Sequence, residues 1–144
     1  MRSNNMLKGR SILLAEDDAM QAVELFDTLA DEGATAVVSV SELDEALRMA
    51  GSQRFDAAIF DYRLGGNRST LLAEYLDRQH TPFVIHTGYP LQFPCLWRGC
   101  RLVPKPSAPT TLVHTLAALI RWQGMNWGRR EASRLSWWEP DLPA

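Results

Sequence analysis

The chain has 144 residues, 46% hydrophobic and 22% charged, which is the make-up of one globular domain able to bury roughly 70% of its unfolded surface without disulfide or metal staples. Fifteen Lys+Arg against seventeen Asp+Glu leave a net charge of −2, which argues against a broad electrostatic footprint for DNA or an anionic membrane and directs attention to a local site. No stretch reaches the ~18–20 apolar residues of a membrane span, and no apolar secretory core follows Met1-Arg2-Ser3-Asn4-Asn5-Met6. The expected location is the cytoplasm, and Cys95 and Cys100, with no histidine cluster beside them, are expected as reduced thiols.

Short apolar runs alternate with longer amphipathic stretches, the signature of βα units and a parallel sheet. Ser11-Ile12-Leu13-Leu14-Ala15 reads as a central strand covered on both faces and stops at Glu16-Asp17-Asp18. Val23, Phe26, Leu29 and Ala30 recur at helical spacing between about Ala19 and Glu32, and Gly33 sits where a helix ends. Ala34 to Val40 is the second strand; Ser41-Glu42-Leu43-Asp44 then resembles a capping box for a short helix closed by Gly51.

Phe55 to Phe60 forms the third strand and ends in Asp61, Gly65-Gly66-Asn67 makes a turn, and Thr70 to Gln79 is the third helix. Pro82 introduces a fourth strand, Phe83-Val84-Ile85-His86, which ends at Thr87-Gly88. Pro90, Pro94 and Gly99 forbid a regular helix of normal length in Tyr89–Arg101, so the fourth helix is expected short or missing. Arg101-Leu102-Val103 is a short fifth strand, followed by Pro104-Lys105-Pro106 and a helix from Thr110 to Arg121.

In open α/β sheets, ligands sit outside the carboxyl ends of the strands. Those ends carry Glu16 and Asp17, Asp61, Thr87 and Lys105: three carboxylates, a hydroxyl and an ammonium. Clustered carboxylates repel one another, so such a site needs a divalent cation to neutralise charge. Mg²⁺ suits oxygen ligands. With these residues in this order of elements, the chain resembles the receiver domain of two-component response regulators over about residues 10–121. The matching strings are Ile12-Leu13-Leu14-Ala15-Glu16-Asp17-Asp18, Phe55-Asp56-Ala57-Ala58-Ile59-Phe60-Asp61, Val84-Ile85-His86-Thr87-Gly88 and Leu102-Val103-Pro104-Lys105-Pro106.

The resemblance implies a doubly wound five-stranded parallel sheet of CheY-like order 2-1-3-4-5. It implies Asp61 as the phosphoacceptor, and Mg²⁺ held by Asp17, Asp61 and the backbone carbonyl of Arg63, with Glu16 acting through water. Lys105, after a Lys-Pro bond that is usually cis in receivers, would stabilise transferred charge, and Thr87 would hydrogen-bond the phosphoryl group. The implied partners are a histidine kinase or phosphotransfer protein upstream and an unidentified protein downstream; the chain would be a phosphoacceptor with slow self-dephosphorylation rather than an enzyme. Asp18 has the competing role of capping the first helix.

Leu102 stands where most receivers carry a switch aromatic. His86-Thr87-Gly88-Tyr89-Pro90 is similar to the Thr-Gly-Tyr motif of the alphaproteobacterial "FATGUY" single-domain receivers, which makes Tyr89 the candidate switch residue. Two other readings are weighed: a pseudo-receiver scaffold without phosphotransfer, and a hydrolase using Asp61, which usually needs Asp-x-Asp where Arg63 stands. His80, His86 and His114 receive no role. The remaining residues, 122–144, hold four of the five tryptophans and balance three Arg with three Asp+Glu. No separate output domain is expected in them; they are read as core extension, a homodimer contact or a partner-binding segment.

Overall fold

The computed structural model describes residues 5–88 and 99–133, with side chains as far as Met125 in the second segment. Five parallel strands form the central sheet: β1 (Ser11–Ala15), β2 (Ala36–Val40), β3 (Ala57–Asp61), β6 (Phe83–Thr87) and β7 (Cys100–Pro104), in the order β2-β1-β3-β6-β7. This is the doubly wound order expected from the sequence. Strands β3 and β6 are buried along their whole length, as is β1 after Ser11, which explains their near-continuous apolar sequences.

Alternation along each strand divides the core into two layers. Leu13, Ala15, Ala58, Phe60, Phe83 and Ile85 meet the apolar sides of α2 (Leu43–Ser52) and α3 (Thr70–Arg78). Ile12, Leu14, Ala57, Ile59, Val84 and Val103 meet α1 (Ala19–Asp31) and α4 (Pro109–Ser133). Leu7 is fully buried in the second layer, so the body of the fold begins before residue 10.

Asp18 caps α1, its carboxylate accepting from the backbone N–H groups of Met20 and Gln21 at 2.9 and 3.1 Å. The helix ends at a left-handed Gly33 (φ 93°), with the N–H of Ala34 returning to the Leu29 carbonyl at 3.1 Å. The expected capping box of α2 is displaced by one residue. Glu42 is the N-cap and makes no side-chain cap, while Glu45 accepts from the backbone N–H of Ser41 at 3.2 Å; Gly51 lies inside the helix, which runs to Ser52.

The Gly65-Gly66 turn, with φ of 56° and 86°, closes a two-stranded ribbon of β4 (Arg63–Leu64) and β5 (Asn67–Arg68) that the hydrophobic pattern did not indicate. Two positive φ values in succession are what a tight hairpin needs, and glycine supplies them without steric cost. Helix α4 starts at Pro109, a favourable first position, and continues to Ser133, past the end expected at Arg121. The continuation packs on the domain at its start: Gln123 is buried, and the Arg101 guanidinium lies 6.0 Å from the Trp122 ring centre. Among the described residues, no helix is long and apolar enough to cross a membrane.

The expectation of two reduced thiols is corrected, since Cys100 is disulfide-bonded. Composition and expected compartment carry no information on how closely a loop brings two sulfur atoms, and bonding depends on that approach. Cys95, Tyr89 and the segment expected to hold a short or missing fourth helix fall outside the described residues, as does the end of the tail.

Candidate functional site

The site arises from the same alternation that builds the core. On the α1/α4 face, Ile12 and Leu14 are followed two residues later by Glu16, Ile59 by Asp61, Val84 by His86 and Val103 by Lys105. One step past the apolar layer, four neighbouring strands therefore deliver two carboxylates, an imidazole and an ammonium to one level. Backbone hydrogen bonds extend the ladder there: Glu16 N–H donates to Val40 O at 3.0 Å, Tyr62 N–H to His86 O at 3.2 Å and Lys105 N–H to Thr87 O at 2.8 Å. Asp61 and His86 are direct cross-strand partners.

Asp61 is 2% exposed. Its Oδ2 accepts from Lys105 Nζ at 3.2 Å, across a cis Lys105-Pro106 bond. Its Oδ1 lies 3.9 Å from His86 Nδ1 and has no hydrogen-bond partner among the described residues. Glu16, also buried, accepts from Asp18 N–H at 3.0 Å through Oε2. A cleft of about 190 Å³ opens here, lined by Asp61, Tyr62, Arg63, His86, Thr87, Gly88 and Lys105.

Glu16 and Asp61 form the electrostatic centre. Burial, then the adjoining Asp61 carboxylate, push the Glu16 carboxyl up from 4.5 to about 8, against the smaller opposing effects of the Asp18 N–H and Lys105. At neutral pH Glu16 therefore holds its proton against Asp61, as expected when two carboxylates share a buried site. Burial also holds His86 below its ordinary value, which Asp61 only partly offsets, so the ring is neutral. A divalent cation bound here would replace that proton as the source of compensating charge.

The structure brings Glu16, Asp61, Thr87 and Lys105 together and sets Asp17 at the exposed rim, where its Oδ2 accepts from Gly65 N–H at 2.9 Å. The ribbon orients Arg63. Tyr62 O accepts from Ser69 N–H at 2.7 Å, so Arg63, one residue on and opposite Arg68, occupies the position whose carbonyl points away from its partner strand. Asp61 and Arg63 line the cleft, and Asp61 Oδ1, without a hydrogen-bond partner among the described residues, fits a group not supplied by the protein.

Two residues of the site had no assigned role. Ser69, fully buried, donates from Oγ to the Asp61 backbone carbonyl at 2.8 Å and fixes the strand end carrying that carboxylate; in sequence it reads only as the residue before a helix. His86 sits in an apolar strand and reads as packing, yet its two-residue offset from Val84 matches that of Asp61 from Ile59. Leu102, at the position of the usual switch aromatic, is half-buried against the α2/α3 layer.

No family model matches the sequence, and no curated protein matches it either. Solved structures do. A response regulator receiver protein from Sinorhizobium medicae is 24% identical with a TM-score of 0.71, covering 80% of this chain and 97% of that one. The receiver domain of a sensor histidine kinase from Pseudomonas aeruginosa, which has a magnesium ion coordinated in its active-site cleft, is 26% identical with a TM-score of 0.64, covering 78% of this chain and 98% of that one. The anti-anti-sigma factor PhyR from Bartonella quintana is 19% identical with a TM-score of 0.66, covering 85% of this chain but 51% of its own length. The chain has the CheY-like fold of response-regulator receiver domains over most of its length.

Proposed function

We propose that this chain is a receiver that takes a phosphoryl group on Asp61, in the presence of Mg²⁺, from the phosphohistidine of a histidine kinase or phosphotransfer protein. One observation carries the reading: a buried carboxylate with one oxygen held by Lys105 and the other without a hydrogen-bond partner among the described residues, beside an open cleft. In the transfer, an Asp61 carboxylate oxygen forms a bond to phosphorus while the P–N bond to the donor imidazole breaks, and that nitrogen keeps the electron pair. Later, water attacks the phosphorus, the acyl phosphate P–O bond breaks, and inorganic phosphate leaves with the Asp61 carboxylate restored.

Asp17, Asp61 and the Arg63 carbonyl would hold the ion, with Glu16 acting through water; its contribution when bound is to neutralise charge between carboxylates and phosphoryl oxygens. Lys105 stabilises charge on the transferred group, and Thr87 donates a hydrogen bond to it. Ser69 keeps the Asp61 backbone in place. Output is then a change of binding surface read by a downstream protein, or the draining of phosphoryl groups from a kinase. Tyr89 is the proposed switch residue, because Leu102 lacks the ring that would rotate.

Incubation with Mg²⁺ and acetyl phosphate tests the reading. One alkali-labile phosphoryl group per chain is expected on the wild type and none on Asp61→Asn. Equal labelling of Asp61→Asn, or no labelling of wild type, overturns it, the latter in favour of a scaffold. Repeated turnover of acetyl phosphate without an adduct also overturns it, in favour of a hydrolase.

A further inference from the structure

His86 has no place in the phosphoryl chemistry above, and among the described residues both of its ring nitrogens are buried without a hydrogen-bond partner. The residue is 4% exposed. Burying an unpaired polar group costs on the order of 1–3 kcal/mol, and valine or isoleucine would suit this strand position better. The ring lies between two openings. One is the cleft with Asp61 and Thr87; the other is lined by Gln21, Glu24, His86, Lys105 and Ser107 among others, so small species have a way in.

One ligand atom each from Glu16, Asp61 and His86 lies within 4.8 Å of the others, and all three residues are buried. Two donors on one ion at ~2.0–2.2 Å stand at most about 4.4 Å apart, and the 3.9 Å between His86 Nδ1 and Asp61 Oδ1 is within that span. Asp61 presents to His86 the oxygen that Lys105 leaves unused. We infer that Glu16, Asp61 and His86 form a mixed nitrogen–oxygen cation site that binds borderline transition ions such as Zn²⁺ and Co²⁺ more tightly than Mg²⁺. Imidazole favours those ions, whereas Mg²⁺ takes oxygen ligands and sheds water reluctantly. The inference deepens the reading above by naming the ion class of the same site, and its geometry does not depend on phosphorylation.

The test is titration of the metal-free full chain with Co²⁺ and Mg²⁺, followed by calorimetry and by the visible absorption of bound Co²⁺, with no phosphodonor present. Wild type is expected to bind one Co²⁺ more tightly than Mg²⁺. His86→Asn, which keeps the size and polarity of the site, should lose at least the roughly tenfold in Co²⁺ affinity that removing a ligand's supporting hydrogen bond already costs, with Mg²⁺ affinity unchanged. His114, 52% exposed in its side chain and 3.5 Å from Glu32, is an alternative donor, so His114→Ala must leave the Co²⁺ spectrum as it was. Should His86→Asn fail to fold, the wild-type ring answers the question by NMR: Zn²⁺ must shift the His86 ring nitrogens before those of His80 or His114. Equal Co²⁺ affinity in wild type and His86→Asn, a spectrum lost in His114→Ala, or an unshifted His86 ring overturns the inference. If the ion binds through His86 while Asp61 accepts no phosphoryl group, the phosphoacceptor reading falls alone; Mg²⁺-dependent labelling without any His86 effect on Co²⁺ sinks the metal inference alone.

Discussion

Asp56 and Asp61 bracket the same central strand, and the fold treats them in opposite ways. At the amino edge, Asp56 accepts from the Ser11 backbone N–H at 2.7 Å and from its hydroxyl at 3.3 Å, with Arg10 3.8 Å away and 40% of its side chain exposed. Its charge is fully occupied in tying β3 to the start of β1. At the carboxyl edge, Asp61 is buried beside a second carboxylate, with one oxygen on Lys105 and the other without a hydrogen-bond partner among the described residues. One end of the strand is satisfied within the protein, while the other turns an oxygen without a described partner towards an open cleft. On the proposed function, that contrast is what separates a structural acid from a chemical one.

The largest effects should come from breaking the contrast directly. Asp61→Asn is expected to abolish phosphoryl uptake while raising the melting temperature of the metal-free protein, because it removes a buried carboxylate charge, the one that keeps Glu16 protonated. Asp56→Ala should do the reverse, costing about 1–3 kcal/mol in denaturant unfolding through the unpaired Ser11 N–H, with phosphoryl uptake unchanged. A stability loss in Asp61→Asn, or lost labelling in Asp56→Ala, would show that the two edges are not specialised in this way.

The strand sequences made one edge easier to read than the other. Continuous apolar runs placed β1, β3 and β6, and the acids that end them gave Glu16 and Asp61. Those same runs hid which face each residue takes, because a strand buried on both sides has no polar–apolar alternation to read. Hence His86 passed as packing, although its offset from Val84 equals that of Lys105 from Val103. The β4–β5 ribbon was missed because its strands are two residues each, too short for any period. Helix α4 was ended early at Arg121, where Trp122, Gln123 and Gly124 break its apolar stripe; the Arg101–Trp122 contact that continues it depends on tertiary structure. Asp17 was expected, by resemblance, as a metal ligand; its carboxylate accepts from Gly65 at the exposed rim, a contact that depends on the ribbon.

Next in size is a pH effect confined to the carboxyl edge. Because the folded-state pKa of Glu16, about 8, lies above its unfolded value of 4.5, the folded protein keeps a proton that the unfolded chain has released. Its stability therefore falls as pH rises through that window. Between pH 7 and 9 the metal-free protein should lose about 1.4 kcal/mol in urea unfolding, and Glu16→Gln should flatten the slope. Working above pH 7 avoids the opposite slope from His86, whose depressed pKa adds stability as pH rises towards 6.5. An unchanged slope in Glu16→Gln would place the pH dependence elsewhere.

Smaller effects sharpen the boundary between site and support. Ser69→Ala should cost roughly 1–2 kcal/mol by leaving the buried Asp61 carbonyl without its hydroxyl donor, and should slow phosphoryl uptake without abolishing it; an unaltered labelling rate would limit Ser69 to the fold. Asp18→Ala should cost about 1 kcal/mol as a lost helix cap and leave labelling intact, whereas Asp17→Asn should weaken Mg²⁺-dependent labelling with little change in stability. Reversal of these two outcomes would exchange the roles of the adjacent acids.

The most direct measurement locates the phosphoryl group itself. Acetyl phosphate-treated protein is reduced with borohydride, which converts an aspartyl phosphate to homoserine, and the peptides are sequenced by mass spectrometry. Homoserine at position 61, with Asp17, Asp18 and Asp56 intact, is the result this account predicts. Homoserine at any of those other positions, with Asp61 unmodified, would contradict it.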